Sequence, residues 1–331
     1  MKIALLFGGR GAERAVSLRS AEAVLPRLRA LGHTVFPIFV NETGALFRTE
    51  SVPRDPASHT GSPLTLLVRE GVLLFETATE TLSPETVFSL IHGLDGEDGA
   101  WQGLFTLTRT PFIGAGVTAS AIGMNKRITK ELAAARGIPT VPYLCVGDAE
   151  GATVSRILRT FSLPLFVKPA TGGSSVGVSR VTRKEELTPA ILRALGECEE
   201  VLIEEAVIGS EIEVAVLERS GMLLLSPPGE IRTEEGFYDY EAKYGEKEAS
   251  FHLPAPLTQE ETSRVKQLAA AVFRLLGCRD MARVDLLRRE DGEIYFNEIN
   301  TIPGFTEDSL FPRLFSLIHV DPLLFLTEGR A

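Results

Sequence analysis

Residues Met281 to Thr301, MARVDLLRREDGEIYFNEINT, constrain the fold more than any other stretch. Two strand-like runs flank Asp291-Gly292, a dipeptide that strongly signals a two-residue hairpin turn. With those two residues as the loop, Glu290 faces Glu293, Asp285 faces Glu298 and Arg283 faces Asn300. Side chains directly opposed on one face have Cβ atoms about 4.5–5.5 Å apart. Two carboxylates that close repel unless a cation lies between them. Two carboxylates and an amide, with no Cys or His, are hard ligands that suit Mg²⁺ and leave sites for water and phosphate. An exposed polar face gives the same alternation. The register favours the metal, and a slip of one residue removes it.

Mg²⁺ that keeps several waters usually accompanies nucleotide phosphates, and those phosphates need further cations. The stretch Val167 to Val181, VKPATGGSSVGVSRV, offers one in Lys168. The familiar phosphate loop ends in Gly-Lys-Ser/Thr and opens a helix. Here the lysine comes first, and β-formers lie on both sides, Leu165 to Val167 and Val176 to Val181. The stretch reads as a hairpin flap. Backbone N–H groups of Thr171 to Ser175 can form an anion nest, which uses glycine's tolerance of positive φ. Such a flap closes over phosphates and excludes water. Lys126, at the start of a helix, is a second candidate cation. Taken singly, either lysine reads rather as a solvated surface residue, and the glycine loop shifts that balance.

A chain of 331 residues points to two or three domains. Its 34 basic and 44 acidic residues give a net charge of −10 without a basic tract, so nucleic acid and anionic membrane are poor partners. Cys145, Cys198 and Cys278 lack metal spacing and read as reduced thiols of a cytoplasmic protein. The N-terminal MKIALLFGG reads as a first strand rather than a signal peptide, and no apolar run approaches the roughly 20 residues that span a bilayer. Gly9-Arg10-Gly11 lacks the third glycine of a dinucleotide fingerprint.

Along the chain, Lys2 to Phe7 reads as a buried strand. A helix follows with Leu18, Ala21, Leu25, Leu28 and Leu31 on one stripe; Pro26 should kink it and Gly32 ends it. His33 to Val40 returns as a strand, so the opening is a parallel α/β layer. Ser51 to Pro63 reads as a surface excursion. Val87 to His92 and Pro111 to Gly114 are further strands. Asn125 caps a helix that stops at Gly137. Strand Val141 to Val146, a helix from Thr153 to Phe161 and strand Val201 to Glu205 follow. Thr258 and Glu261 form a capping box for a helix through Leu276. Three α/β lobes fit this order.

Eight segments in sequence, GGRGAERAVSLRSA, HGLDGEDGAWQG, GAGVTASAIGMNK, VKPATGGSSVGVSRV, VLIEEAVIGSE, FYDYEAKY, MARVDLL and NEINTIPGFTEDSL, resemble the ATP-grasp superfamily. Within it they resemble the D-alanine–D-alanine ligases of bacterial cell-wall synthesis, from Met1 to about Pro312. The resemblance implies a three-lobed ATP-grasp architecture, α/β with α+β C-terminal lobes and an N-terminal Rossmann-like parallel sheet. The lobes would be residues 1–114 on the first D-alanine side, 115–208 with the glycine-rich flap, and 209–331 with Mg²⁺ and the second D-alanine. It implies ATP-dependent joining of two D-alanines through a D-alanyl phosphate, for peptidoglycan precursors. Two Mg²⁺ ions (or Mn²⁺), a cytoplasmic homodimer and no nucleic-acid or membrane partner belong to the same expectation. ATP-grasp ligases with D-serine or D-lactate as acceptor, and a non-catalytic nucleotide-binding homologue, are the competing readings.

Carried over residue by residue, the resemblance puts metal on Asp285, Glu298 and Asn300. It puts ATP phosphates on Lys126, Lys168 and Lys243 and on the flap at Gly173 and Ser175. Glu204 and Val207 match base contacts, Glu211 the ribose carboxylate. Glu205 stands where many relatives carry lysine, which puts that ATP contact in question. Glu13 matches the carboxylate that holds the first D-alanine's ammonium, and Glu13, Ser174 and Tyr244 a hydrogen-bonded trio joining the lobes. An acid at that position also suits a helix N-terminus. His92 matches a histidine beside the first substrate. Arg283, Gly304, Ser309 and Leu310 match the group around the second D-alanine and the oxyanion. Tyr244 favours an amine acceptor, because relatives that make D-alanyl-D-lactate depart from this Lys-Tyr pattern. Ala15, where the family commonly has an acid, Asn125, where Asp is usual, and a short C-terminus are the other departures.

Overall fold

The computed structural model describes residues 1–53, 61–233 and 249–329. Lys243, Tyr244 and the middle of the Ser51 to Pro63 excursion lie outside the described residues. The first sheet runs through β1 (Lys2–Gly8), β2 (Thr34–Val40), β3 (Leu46–Arg48), β4 (Ser62–Arg69), β5 (Val72–Glu76), β6 (Thr81–Leu82), β7 (Thr86–Ser89) and β8 (Phe112–Ile113). Their spatial order is β6-β5-β4-β3-β2-β1-β7-β8. The strands β2, β1, β7 and β8 are parallel, as the opening strand–helix–strand dictates, and β3 to β6 extend them as an antiparallel meander. β1 is almost wholly apolar because both of its faces are covered. Helix α1 (Arg14–Ala30) lies on one face and α2 (Ala100–Leu107) on the other. α1 continues through Pro26 to Ala30 and buries Ala21, Val24, Leu25 and Leu28.

After α3 (Val117–Met124) and α4 (Lys126–Ala135), a second antiparallel sheet forms. It comprises β9 (Tyr143–Val146), β10 (Leu165–Pro169), β11 (Ser179–Val181) and β12 (Val201–Glu205), in the order β11-β10-β12-β9. Helices α5 (Gly151–Thr160) and α6 (Leu187–Leu195) cover it and close a core of its own around Ile157, Leu165, Val167, Leu187, Ile191 and Ile203. β11 begins only at Ser179, later than the β-formers from Val176 suggest. Val176 N–H donates to Gly173 O and Val178 N–H to Ser175 O, so turns occupy Ser174 to Gly177.

The third sheet contains β13 (Gly209–Arg219), β14 (Met222–Leu225), β15 (Gly229–Thr233), β16 (Ala249–His252), β17 (Met281–Arg289) and β18 (Ile294–Asn300). Helix α7 (Gln259–Leu275), opened by the Thr258–Glu261 capping box, packs on one face with α3 and α4. Residues 115–138, read from sequence with the middle lobe, thus bury Ala119, Ala133 and Ile138 against this sheet. The chain ends in α8 (Leu310–Ser316) and α9 (Pro322–Thr327), which join the third sheet to α1 and β1 in one core. Phe88 of β7 meets Phe305 edge-on, with ring centroids 5.8 Å apart. The first and third sheets therefore share a core that the second does not enter.

The hairpin of β17 and β18 corrects the two-residue turn. Arg289 N–H donates to Glu293 O at 2.8 Å and Gly292 N–H to Arg289 O at 2.9 Å. The loop is therefore three residues, Glu290-Asp291-Gly292, with Gly292 at φ 89. A turn closed by a glycine in the left-handed region is the alternative open to Asp-Gly. Here Asp291 favours it by accepting from Glu293 N–H at 3.1 Å and from Arg289 Nε at 2.9 Å. That shift pairs Leu286 with Phe296 and Leu287 with Tyr295. One extra residue in β18, Asn297, then forms a bulge and restores the expected pairs, Asp285 with Glu298 and Arg283 with Asn300. Phe296 N–H is bound to Pro139 O at 2.7 Å at that point. Two departures from the expected register cancel.

Candidate active site

Where the second and third sheets meet lies a cavity open to solvent. Lys126, Lys168, Gly173, Ser174, Ser175, Glu204, Glu205, Val207, Glu211 and Glu298 all line it. Each arrives for a local reason. Asn125 Oδ1 caps α4 by accepting from Ile128 N–H at 3.0 Å, which sets Lys126 at the first helical position. Its Nζ donates to Gly172 O at 2.5 Å and lies 3.5 Å from Glu298 Oε2. Lys168 projects from β10, whose five residues are all buried. The flap turns over the cavity with Gly172 at φ 112, Ser174 at 49, Ser175 at 58 and Gly177 at 72. Ser174 and Ser175 pay the left-handed backbone cost that glycine avoids, the kind of strain that gathers at functional loops.

Glu204 lies beneath the cavity and is 1 % exposed. Its Oε2 accepts from Lys168 Nζ at 2.8 Å, and its Oε1 lies 2.9 Å from Lys130 Nζ. Burial pushes the Glu204 carboxyl up, but the two ammonium groups outweigh burial and hold it at about 2. Lys168 also donates to Asn297 Oδ1 at 3.2 Å, so the bulge turns its extra residue into the cavity. Glu205 accepts from Ser162 N–H at 3.1 Å at the cavity margin.

The third sheet lines the facing wall with Glu211, Leu287, Asn297 and Glu298; next to these, Asp285 is fully buried and does not itself line the cavity. Arg283 grips it with two bonds, Nε to Oδ1 at 2.8 Å and a terminal nitrogen to Oδ2 at 2.7 Å, and Asn300 Nδ2 donates to Oδ2 at 2.8 Å. Arg283 Nε also lies 3.0 Å from Glu213 Oε2. Burial lowers the guanidinium's affinity for its proton, but Asp285 and Glu213 outweigh it and keep Arg283 well above its ordinary value. Carboxylate oxygens of Glu211, Glu213 and Asp285 lie within 4.8 Å of one another. With Glu298 nearby, this wall holds more carboxylates than cations, and its donors are all oxygen. That set fits Mg²⁺.

Glu13 reaches the cavity from the first lobe. It makes no capping bond to α1; its Oε1 instead accepts from Ser174 Oγ at 2.5 Å. A Cβ at Gly173 would stand 2.9 Å from Glu13 Oε2, and one at Gly93 only 2.1 Å away. Glycine at both positions leaves the carboxylate room where it stands. His92 is buried, and burial lowers its imidazole pKa. Its Nε2 shares a hydrogen bond of 3.3 Å with Ser20 Oγ, which accepts from Phe305 N–H at 3.2 Å. Ser309 Oγ accepts from Thr306 N–H at 3.0 Å and would meet a Cβ on Gly304 at 2.7 Å. Leu310 begins α8 and is buried beside them.

Four neighbours were missed from sequence: Lys130, Asn297, Glu213 and Glu97. Lys130 follows Lys126 by one helical turn and Glu213 alternates with Glu211 along β13, spacings that place each pair on one face. Asn297 enters only through the bulge, which no spacing announces. Glu97 Oε2 accepts from Gly93 N–H and its Oε1 from Ile302 N–H, both at 2.9 Å, which ties the first lobe to the segment after β18.

The chain as a whole is similar to known proteins. Two family models match, the D-ala D-ala ligase N-terminus over residues 2–115 and the D-ala D-ala ligase C-terminus over residues 132–321. The D-alanine–D-alanine ligase of Corynebacterium diphtheriae is 38% identical over 95% of this chain and 90% of its own length. That of Mycobacterium tuberculosis is 38% identical over 99% and 94%. Among solved structures, the VanG D-Ala:D-Ser ligase of Enterococcus faecalis aligns with a TM-score of 0.87 at 32% identity, over 98% of this chain and 97% of that one. The D-alanyl-alanine synthetase A of Vibrio cholerae aligns with a TM-score of 0.87 at 31% identity, over 98% and 96%. With both family models matched in order and relatives covering nearly its full length, the chain belongs to the D-alanine–D-alanine ligase family.

Proposed function

We propose that this protein joins two D-alanine molecules at the expense of ATP. One observation carries the reading: in a chain of this family, Lys126, Lys168, the glycine flap and Glu298 converge on a single cavity, with Glu13 bonded to the flap at its edge. The γ-phosphoryl group passes to the carboxylate of the first D-alanine, forming D-alanyl phosphate and releasing ADP. The second D-alanine's amine then attacks the carbonyl carbon, and inorganic phosphate leaves as the peptide bond forms.

Phosphoryl transfer asks the protein mainly for positioning and charge. Lys126, Lys168 and Lys243 hold the phosphates beneath Gly173 and Ser175. Glu204, Glu205 and Val207 face the base and Glu211 the ribose. Glu13 holds the first ammonium, Tyr244 completes its link with Ser174, and His92 stands beside the substrate. Asp285, Glu298 and Asn300 would hold Mg²⁺, which supplies charge neutralisation on the phosphates. Arg283, kept in place by Asp285 and Glu213, meets the tetrahedral oxyanion with the Gly304 N–H; Ser309 and Leu310 seat the second D-alanine. On the resemblance alone the reading extends to two metal ions, a homodimer, cytoplasmic action and lobes dividing near 115 and 209. Among the described residues, no helix is long and apolar enough to cross a membrane.

The test is ADP release across a panel of D- and L-amino acids, D-serine included, with products identified by mass spectrometry. Release should require D-alanine and Mg²⁺ together and yield D-alanyl-D-alanine. Release indifferent to D-alanine sinks the reading.

A further inference from the structure

We propose that Lys130 is a positioning residue whose ammonium neutralises Glu204 from beneath and so leaves Lys168 its full charge for nucleotide phosphate. The inference rests on the nucleotide cavity of the proposed function and adds a residue that never meets the ligand. Lys130 is 1 % exposed and does not line the cavity, whereas Lys168 is 9 % exposed and does. Between them lies the single Glu204 carboxylate, with one oxygen 2.9 Å from Lys130 Nζ and the other 2.8 Å from Lys168 Nζ. One anion shared by two cations leaves one positive charge over, and it emerges on the cavity side.

Without Lys130, Glu204 and Lys168 form a neutral pair. The cavity then loses its attraction for phosphate at that wall, and one carboxylate oxygen is left buried without a cation. Such exposure of a charge by removal of its partner is costly. The arrangement also explains a buried lysine one helical turn below Lys126. α4 delivers both ammonium groups to the same site, one at the surface of the cavity and one under its floor. Asn297 holds Lys168 from the other side at 3.2 Å, so the aim of Lys168 is fixed while Lys130 sets its net charge.

The test compares the wild type, Lys130→Met, Glu204→Gln and the double variant Lys130→Met/Glu204→Gln. Calorimetry measures MgADP affinity without D-alanine, and steady-state kinetics separates KM for ATP from KM for D-alanine. Lys130→Met should weaken MgADP binding about tenfold or more and raise KM for ATP in step, leaving KM for D-alanine within about twofold. The double variant restores the single spare charge; it also loses the Glu204 carboxylate that faces the base, so the readout is its gain over Lys130→Met, and it should bind MgADP tighter than that single variant. A lysine needed only for packing predicts additive losses, with the double variant no tighter than Lys130→Met; that result overturns the proposal. Should Lys130→Met fail to fold, the double variant still decides. Set against Glu204→Gln, which leaves no carboxylate for Lys130 to neutralise, it should bind MgADP within about threefold; a larger loss, or a double variant that does not fold where Glu204→Gln does, overturns the proposal. A wild type that binds no MgADP condemns the nucleotide site itself, not Lys130 in particular.

Discussion

On one side of the cavity, Glu204 sits between Lys130 and Lys168, an anion shared by two cations. On the other, Glu211, Glu213 and Asp285 crowd around Arg283, with Glu298 beside Lys126. Glu204 and Lys168 belong to a sheet with a core of its own, with Lys130 reaching them from α4; the second wall belongs to a sheet whose core continues into the first lobe. The first has positive charge to spare and needs an anion. The second has negative charge to spare and needs a cation. A nucleotide with its metal supplies both in one ligand, so binding it couples two walls that the apolar cores leave separate.

The largest expected effect comes from breaking the centre of the acidic wall. Arg283→Ala removes the guanidinium that binds Asp285 and stands near Glu213. Loss of one oxyanion donor typically costs about 10²–10³ in kcat, and turnover should fall by that order while MgADP affinity changes far less. Equal losses in turnover and in nucleotide binding would show that Arg283 serves the nucleotide, and that the two walls do not divide the work as described. A smaller effect should follow at the edge of the same wall. Glu298→Gln removes one oxygen donor's charge, so the Mg²⁺ concentration giving half-maximal activity should rise about tenfold or more, with saturating Mg²⁺ recovering most of the rate. An unchanged Mg²⁺ requirement would remove Glu298 from the metal site.

These walls were unequally legible in the sequence. The strand–helix–strand opening, the Asn125 and Thr258 caps and the Val201 to Glu205 strand follow from local chemistry and appear where that chemistry puts them. The facing of Asp285 with Glu298 was also legible, although the path to it was not. Asp-Gly admits both a two-residue turn and a three-residue turn ending in left-handed glycine, and Arg289 and Asp291 select the second. The compensating bulge at Asn297 depends on Pro139 holding Phe296 across the fold, a long-range bond with no local signature. Lys130 was hidden for a similar reason. A lysine on a helix reads as solvated unless the buried carboxylate that receives it, here 74 residues further along the chain, is already known. Glu204 itself was read as a ligand contact, and its two lysine partners emerge only with the tertiary structure.

The smallest effect concerns how the acidic wall is fastened to the first lobe. Glu97 makes that fastening, with N–H groups of Gly93 and Ile302 on its two oxygens, and Ile302 lies two residues beyond Asn300. Burial pushes its carboxyl up from 4.5 to about 8, with the Glu13 carboxylate adding to the shift and the two N–H groups opposing it. A carboxyl whose folded pKa exceeds its unfolded one binds more protons in the folded protein. Its contribution to stability is therefore fully present below about 4.5, falls as pH rises towards about 8, and is level beyond. The slope inside that window is at most about 1.4 kcal/mol per pH unit. Thermal melts between pH 5 and 8 should show Tm declining with pH in the wild type. Glu97→Gln, which cannot titrate, should flatten that part of the decline. A slope left intact by the substitution would place the proton on another group, and Glu97 would then join the lobes as an ordinary carboxylate with no bearing on how pH loosens the acidic wall from the first lobe.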